Sequence, residues 1–163
     1  MTITTDRLTL RPVTLQDTDF ILKANTGNVR DYFIPFNTPE AVQAWIQENL
    51  EKMERGEKLE LVCVGTEDGQ PVGMVAVDSL QDLKKIVPRL WISEAHQGQG
   101  FASEALSGLL AAIKGRPEHK EKTVVYEVDT DNEVSIKLAQ KLGFTYQGKE
   151  MGDGEEYLVF VNR

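Results

Sequence analysis

The sequence predicts a mixed α/β domain, of the α+β (α/β) class, in which helices pack on a central β-sheet. Short segments are rich in β-branched residues or alternate apolar with polar residues, and longer segments carry apolar residues at helical spacing. These segments follow one another in the order β-α-α-β-β-β-α-β-α-β-β. The 163 residues contain no repeat, low-complexity stretch or linker, so we expect residues 1–163 to form one domain.

The first third of the chain predicts one strand and two helices. Residues 6–13 alternate apolar and polar side chains, as a half-buried strand does. Thr14 and Asp17 have the spacing of a capping box, with Asp in place of Glu, ahead of a short helix. Thr38 as N-cap and Pro39 at the first helical position begin a second helix.

Three strands are predicted in the middle of the chain. Residues 59–66 and 71–80 are expected to pair through a turn at Asp68-Gly69, a dipeptide typical of hairpins. Residues 85–93 form the next strand, and Pro88 lies inside it. Since proline cannot donate to a sheet, Pro88 marks an edge, a bulge or a place where pairing stops.

The last third predicts two helices, a strand and a hairpin. In chain order these are a helix that residues 97–102 lead into, a strand at 122–129, a helix opened by Asp129-Thr-Asp-Asn and a hairpin of 144–148 with 155–161 across Gly152-Asp-Gly. The second helix carries Val134, Leu138 and Leu142 on one face, with Lys141 in its last turn and Gly143 at its C-cap.

Composition excludes several classes of function. Eighteen basic and 26 acidic residues give a net charge of −8, which disfavours nucleic-acid binding and favours a cationic partner such as an amine. One cysteine, Cys63, and two histidines, His96 and His119, are too few for a disulfide framework or a Cys/His metal centre. No membrane span or secretory signal is recognisable, so we expect a cytoplasmic protein without a membrane partner.

The segment Gln97-Gly98-Gln99-Gly100-Phe101-Ala102 lies between a strand and a helix. A helix N-terminus has free N–H groups and glycines allow close approach, so this turn suits a phosphate or diphosphate. Its charged neighbours in sequence are Glu94 and Glu104, so we expect backbone amides, and not Arg or Lys, to attract the anion. The alternative is a glycine turn that only packs strand on helix. No P-loop is present, and a dinucleotide fingerprint that starts at Gly98 fails at Ser103.

Gln97-x-x-Gly100-x-Ala102 resembles the Gln/Arg-x-x-Gly-x-Gly/Ala signature of the GNAT acyltransferase superfamily, which binds the pyrophosphate of acetyl-CoA. Further segments resemble its ribosomal-protein N-terminal acetyltransferase (RimJ/RimL-like) branch. They are Arg7-Leu-x-Leu-Arg-Pro, Trp45 in the second helix, His96-Gln-Gly-Gln-Gly-Phe-Ala-Ser-Glu-Ala, Asn132-x-x-Ser135 and Lys141-Leu-Gly-Phe144. The resemblance runs from about residue 5 to residue 161.

The resemblance implies a mostly antiparallel sheet of about seven strands and about four helices, with a V-shaped splay between the fourth and fifth strands. It implies acetyl-CoA as co-substrate, no metal, and direct attack of an amine on the thioester in a ternary complex. The residues expected to hold the co-substrate are Leu90, Trp91, Ile92, Gln97, Gly98, Gln99, Gly100, Phe101, Ala102, Asn132 and Ser135.

The catalytic assignments also rest on the resemblance. The Leu90 backbone N–H is expected to stabilise the oxyanion. Many members carry a Tyr on the last helix as the acid, where this chain has Leu138-Ala139-Gln140, so Ser135 is the candidate acid, with helix capping or co-substrate binding as its alternative role. No general base is identified. Phe33, Phe36, Asp78 and Glu127 are candidates for the acceptor pocket, with core packing or a solvated strand position as the alternative for each.

The acceptor is left open between a protein N-terminal α-amine and a small amine such as a polyamine, an amino acid or an aminoglycoside-like compound. A catalytically silent acyl-CoA-binding module is a second class, because the family Tyr is absent. A homodimer is also left open.

Overall fold

The computed structural model describes residues 1–32 and 36–162. These residues form eight strands and five α-helices. The strands are β1 (Ile3–Thr4), β2 (Leu8–Pro12), β3 (Leu59–Gly65), β4 (Pro71–Asp78), β5 (Lys85–Ile92), β6 (Thr123–Asp129), β7 (Thr145–Gly152) and β8 (Glu155–Asn162). The helices are α1 (Thr18–Ala24), α2 (Gly27–Tyr32), α3 (Pro39–Glu54), α4 (Phe101–Lys114) and α5 (Glu133–Lys141).

The strands form one sheet in the order β1-β2-β3-β4-β5-β6-β8-β7. Neighbouring strands are antiparallel except β5 and β6, which are parallel. β4 and β5 pair from Gly73–Ile92 to Asp78–Val87, whereas β5 and β6 pair only at Lys85–Thr123 and Ile86–Val124. The two halves of the sheet therefore separate beyond Ile86. This confirms the predicted splay, because β5 and β6 are the fourth and fifth of the predicted strands, β1 not being among them.

Each face of the sheet carries its own apolar core, because successive side chains of a strand point to opposite faces. On one face, Leu106 and Leu109 of α4 pack with Leu61 of β3. On the other, Ile46 of α3 packs with Val62 of β3 and with Trp91 of β5. Helices α4 and α5 thus cover one face and α1–α3 cover the other, so that α4 and α2 flank the separated strands.

The local signals at helix starts and turns are confirmed. Thr38 Oγ1 accepts a hydrogen bond from Ala41 N at 3.2 Å at the start of α3. The Asp17 carboxylate accepts from Thr14 N at 2.8 Å, which completes its side of the capping box. Gly69 has φ +69° in the β3–β4 turn, and the β7–β8 turn carries positive φ at Asp153 and Gly154.

The structure differs from the sequence prediction in four places. β1 has two residues and α2 has six, both too short to show a periodic pattern. β7 continues to Gly152 because it pairs with β8 along its whole length, past a bulge between Tyr146 and Gly148. The C-cap of α5 is Leu142 and not Gly143. Gly143 follows it with the positive φ, +75°, of a left-handed residue after a helix.

The described residues contain neither a candidate membrane span nor a candidate metal site. None of their helices has the length and apolar composition needed to cross a bilayer. They also contain no group of three or more His, Cys, Asp or Glu side chains placed to hold a metal ion.

Candidate active site

The separation of β5 from β6 opens a cleft of about 570 Å³ that is continuous with solvent. It is lined by one strand edge, by the glycine turn before α4 and by the first turns of α2 and α5. The lining residues are Asn28, Val29, Leu90, Trp91, Ile92, His96, Gln97, Gly98, Gly100, Phe101, Ala102, Asn132, Val134, Ser135 and Leu138. Ten of the eleven residues expected to hold the co-substrate are among them, and Gln99 is not.

The edge of β5 presents backbone groups to the cleft. Thr123 N donates to Lys84 O at 2.9 Å, and Gln97 Nε2 donates to Ile92 O at 2.8 Å. Backbone groups alternate in direction along a strand, so the N–H and C=O of Leu90 point the same way, away from β4. Pro88 has the same orientation, and its missing donor lies on the side where pairing with β6 has stopped.

The glycine turn ends at the N-terminus of α4, a helix of 14 residues. Gly98 has φ +74° and Gly100, the N-cap, has φ +85°. A Cβ at Gly98 would have no atom within 4 Å, so that position opens onto free space. The helix cap has no side-chain hydrogen bond, which leaves the first N–H groups of α4 available to an anion.

The side chains of Gln97 and His96 make hydrogen bonds that fix the glycine turn to neighbouring residues. Gln97 Nε2 donates to Asn28 Oδ1 at 2.9 Å as well as to the Ile92 carbonyl. His96 Nδ1 lies 2.8 Å from Ser93 Oγ, whose own hydrogen goes to Val72 O at 3.1 Å. Gln99 lies on the outer side of the turn, where its Nε2 donates to Ala95 O at 3.2 Å.

A cation from a distant part of the sequence lies beside the turn, whose charged neighbours along the chain are acidic. Arg7, from the connection between β1 and β2, donates from Nη1 to Gln99 O at 3.0 Å and pairs with Glu104. Its guanidinium carbon lies 4.6 Å from the centroid of the Phe101 ring. Arg7 is 92 positions from Gln99 in sequence, so inspection of the motif and its neighbours along the chain could not find it.

The opposite wall of the cleft is the start of α5. Asn132 is buried, and its Oδ1 accepts from Ser135 N at 3.1 Å, as an N-cap does. Tyr126, a buried residue of β6, lies next to the Ser135 side chain. Burial raises the pKa of Tyr126, and the neighbouring Ser135 hydroxyl opposes part of that rise. Sequence reasoning had not selected Tyr126.

Asp78 does not have a free carboxylate. It pairs with Lys58 at 3.2 Å and with Arg89 at 2.5 Å, and both cations also bind Glu60, whose side chain is 2% exposed. Although burial alone would raise the pKa of Asp78, Arg89 and Lys58 hold it below its ordinary value. This four-residue network therefore argues against Asp78 as an acceptor-binding group.

Glu127 is exposed on β6. Its neighbours Tyr126 and Val128 belong to the core beneath α4, so Glu127 projects from the opposite face, the one that carries Trp91. Continuing the parallel register from Ile86–Val124 places Glu127 level with Arg89, across the separation of the strands. Glu127 thus remains the carboxylate candidate beside the cleft.

The two aromatic candidates for the acceptor pocket, Phe33 and Phe36, have different outcomes. Phe36 is half-buried and packs on Trp45 with ring centroids 5.8 Å apart, which matches the core-packing alternative. Phe33 lies outside the described residues. Tyr32, one residue earlier, donates to Asp131 Oδ1 at 3.1 Å across a groove. That groove is strongly acidic, and its charged lining residues are Asp31, Asp129, Asp131, Glu155 and Glu156.

Cys63 is fully buried, and burial raises the pKa of its thiol, so it is an inert core residue. Lys137 is exposed and lies 3.8 Å from Glu133 on the surface of α5.

The cleft is bordered by an open strand edge and by a helix N-terminus without a side-chain cap. The sequence of the chain also matches a known family. The family model for the acetyltransferase (GNAT) domain matches residues 7–145. The chain belongs to the GNAT acetyltransferase family. The match covers the whole cleft, from Arg7 to the end of α5, so this GNAT domain supplies both walls of its own candidate active site.

Solved structures share the fold of this GNAT domain at low sequence identity. A protein assigned as a ribosomal-protein-serine acetyltransferase from Vibrio cholerae has a TM-score of 0.87 and 20% identity, over 99% of this chain and 97% of that one. An acetyltransferase from Salmonella typhimurium that modifies the N-terminal serine of ribosomal protein L7/L12 has a TM-score of 0.82 and 17% identity, over 99% and 98%. The microcin C7 self-immunity acetyltransferase MccE, solved with acetyl-CoA and AMP, has a TM-score of 0.83 and 19% identity, over 96% and 92%. No curated protein sequence matches the chain significantly.

Proposed function

We propose that this GNAT domain transfers an acetyl group from acetyl-CoA to a primary amine. One observation carries the proposal: the unpaired edge of β5 and the uncapped N-terminus of α4 face the same cleft. An elongated ligand with amide groups at one end and a diphosphate at the other matches both, because a strand edge binds amides and a helix start binds phosphate.

The chain's own residues divide the work of holding that ligand. The Leu90 and Ile92 backbones would pair with the pantetheine amides, in the manner of an added strand. The amides from Gly98 to Ala102 would hold the diphosphate. Asn132 and Ser135 on α5 close the cleft from the other side.

Acetyl-CoA supplies an activated acetyl thioester, and the residues must manage charge and protons. The amine nitrogen forms a bond to the thioester carbonyl carbon, and the Leu90 N–H donates to the oxygen that becomes negative. The carbon–sulfur bond then breaks, the sulfur takes the proton of the Ser135 hydroxyl, and the Ser135 oxygen takes the second proton that the attacking nitrogen must lose to become an amide. Glu127 accepts the proton that the ammonium group must lose before it can attack.

The acceptor is proposed to be a cationic amine, and a protein N-terminal α-amine is the leading candidate. The acidic groove of Asp31, Asp129, Asp131, Glu155 and Glu156 favours a cation over an anion. The structural relatives that act on ribosomal proteins support a peptide acceptor by analogy of fold. An α-amine has a pKa near 8, against about 10.4 for a lysine side chain, so it is deprotonated at lower cost.

The test combines binding with turnover. We expect CoA binding by calorimetry, and acetyl transfer to at least one amine in a panel of short peptides with free N-termini, polyamines and amino acids. Peptides acetylated in preference to polyamines would support the α-amine acceptor, and the reverse order would select the small-amine alternative. CoA binding without turnover on any amine would instead support a silent binding module.

A further inference from the structure

We propose that Arg7 binds a phosphate group of CoA, an inference that rests on the proposed function. Arg7 comes from the connection between β1 and β2, yet its guanidinium lies over the first residue of α4, 4.6 Å from the Phe101 ring centroid. An atom placed at the missing Cβ of Gly100 would lie 3.4 Å from Arg7 Nη2. The guanidinium therefore borders the turn whose amides face the cleft.

Two of the three guanidinium nitrogens have protein partners, and the third has none among residues 1–32 and 36–162. Nε donates to Glu104 Oε2 at 2.8 Å and Nη1 donates to Gln99 O at 3.0 Å. Nη2 is the nitrogen nearest Gly100. Guanidinium donors bind phosphate oxygens with charge-assisted hydrogen bonds, so Nη2 is a ready donor at the edge of an anion site.

The connection between β1 and β2 is built onto α4 at several points. Glu104 Oε1 accepts from Thr5 Oγ1 and from Arg7 N, each at 2.6 Å. A side chain at Gly108, one turn later, would lie 2.6 Å from Thr5 Cγ2, so the absence of a Cβ permits this close packing. Arg7 is therefore held against the turn, and binding a phosphate would cost little of its conformational entropy.

Electrostatics supports the assignment. Glu104 lies in the first turn of α4, where its charge would repel a diphosphate bound at that helix start. Its side chain is only 16% exposed, and Arg7 pairs with it. Arg7 thus neutralises the charge with which Glu104 would repel the diphosphate, while its Nη2 is still able to donate to a phosphate oxygen.

The experiment measures the dissociation constants of CoA and of dephospho-CoA, which lacks the 3′-phosphate, by calorimetry. We expect Arg7→Gln to weaken CoA binding at least about tenfold, as expected for a lost charge-assisted hydrogen bond. Arg7→Lys should retain part of the affinity. Arg116→Gln, which removes the same charge beyond the other end of α4, should bind CoA as the unaltered chain does. An equal loss with both ligands would assign Arg7 to the diphosphate, and a loss confined to CoA would assign it to the 3′-phosphate.

The double variant Arg7→Gln/Glu104→Gln separates direct contact from charge neutralisation. If Arg7 touches phosphate, the double variant stays weak; full recovery of affinity would overturn the inference. Unchanged CoA affinity in a folded Arg7→Gln protein would overturn it as well, whatever that variant does to the melting temperature. Failure of the unaltered chain to bind CoA would overturn the proposed function along with it, so the two failures are distinguishable.

Discussion

The hydroxyl of Ser135, in the first turn of α5, lies beside the buried phenol of Tyr126 on β6. Tyr126 is 3% exposed and its ring packs on Phe144 with centroids 5.8 Å apart, so the phenol is held in a defined place. Ser135 lines the cleft, and Tyr126 belongs to the core next to it.

Ser135→Ala is expected to lower kcat by about 100-fold or more if Ser135 gives its proton to the leaving sulfur. The CoA dissociation constant should change little, because Asn132 still caps α5 and the β5 edge is untouched. Steady-state kinetics with calorimetry checks the split between rate and affinity. Tyr126→Phe, which keeps the ring packing and removes the partner hydroxyl, should lower kcat less than Ser135→Ala does. An unaltered rate in Ser135→Ala would remove Ser135 from the mechanism.

Gly100→Val is expected to abolish detectable CoA binding. Gly100 has φ +85°, and its Cβ would project toward Arg7 at the place where the diphosphate is proposed to lie. Gly56→Val is the matched control, since Gly56 has φ +69° with no atom within 4 Å of its Cβ position and lies beyond α3. Both variants carry similar backbone strain, of about 1–2 kcal/mol. Equal CoA affinity of the two folded proteins would show that the turn is not the phosphate site.

Glu127→Gln is expected to lower kcat/KM by about 100-fold and to remove the acidic limb of its pH profile, because a glutamine cannot accept the amine proton. Asp78→Asn is the control carboxylate. Asp78 is already paired with Arg89 and Lys58, so its loss should lower the melting temperature while the pH profile keeps its shape. A Glu127→Gln profile that overlays that of the unaltered chain would assign the base elsewhere.

Asp17→Asn is expected to destabilise the fold at neutral pH by about 1–3 kcal/mol. The Asp17 side chain is 5% exposed and accepts from both terminal nitrogens of Arg11, at 2.7 and 2.9 Å. Burial alone would raise the pKa of Asp17, but Arg11 and Thr14 hold it below its ordinary value of 3.8.

That direction sets the pH dependence of unfolding. A carboxyl whose folded pKa is depressed contributes its full stability above its unfolded pKa and loses it as the pH falls through the folded value. Urea unfolding of the unaltered chain should therefore weaken below about pH 4, and the difference from Asp17→Asn should shrink there. A difference that stays constant from pH 7 to pH 3 would contradict this role for the Asp17 carboxylate.

The sequence predicted most of the elements because their signals are local. The Thr38-Pro39 helix start, the Asp68-Gly69 turn and the Gly98–Ala102 segment each depend on a few adjacent residues, and the structure shows all three where expected. Pro88 predicted an edge, a bulge or a stop in pairing, and in the structure β5 stops pairing with β6 just before it, after Ile86. Short elements such as α2 were not predicted, because six residues are too few to show a helical periodicity.

The sequence by itself determined the order of elements, the family and the position of the glycine turn before α4, because backbone conformation and capping depend on neighbours along the chain. Only the tertiary structure decided which polar side chains are free. It joined Asp78 to Arg89, Ser135 to Tyr126 and Arg7 to the turn before α4, pairs that are 11, 9 and 92 positions apart at their contacts. The charge and proton affinity of such groups depend on partners that tertiary packing brings close. A pattern of neighbouring residues in the sequence does not show which partners these are.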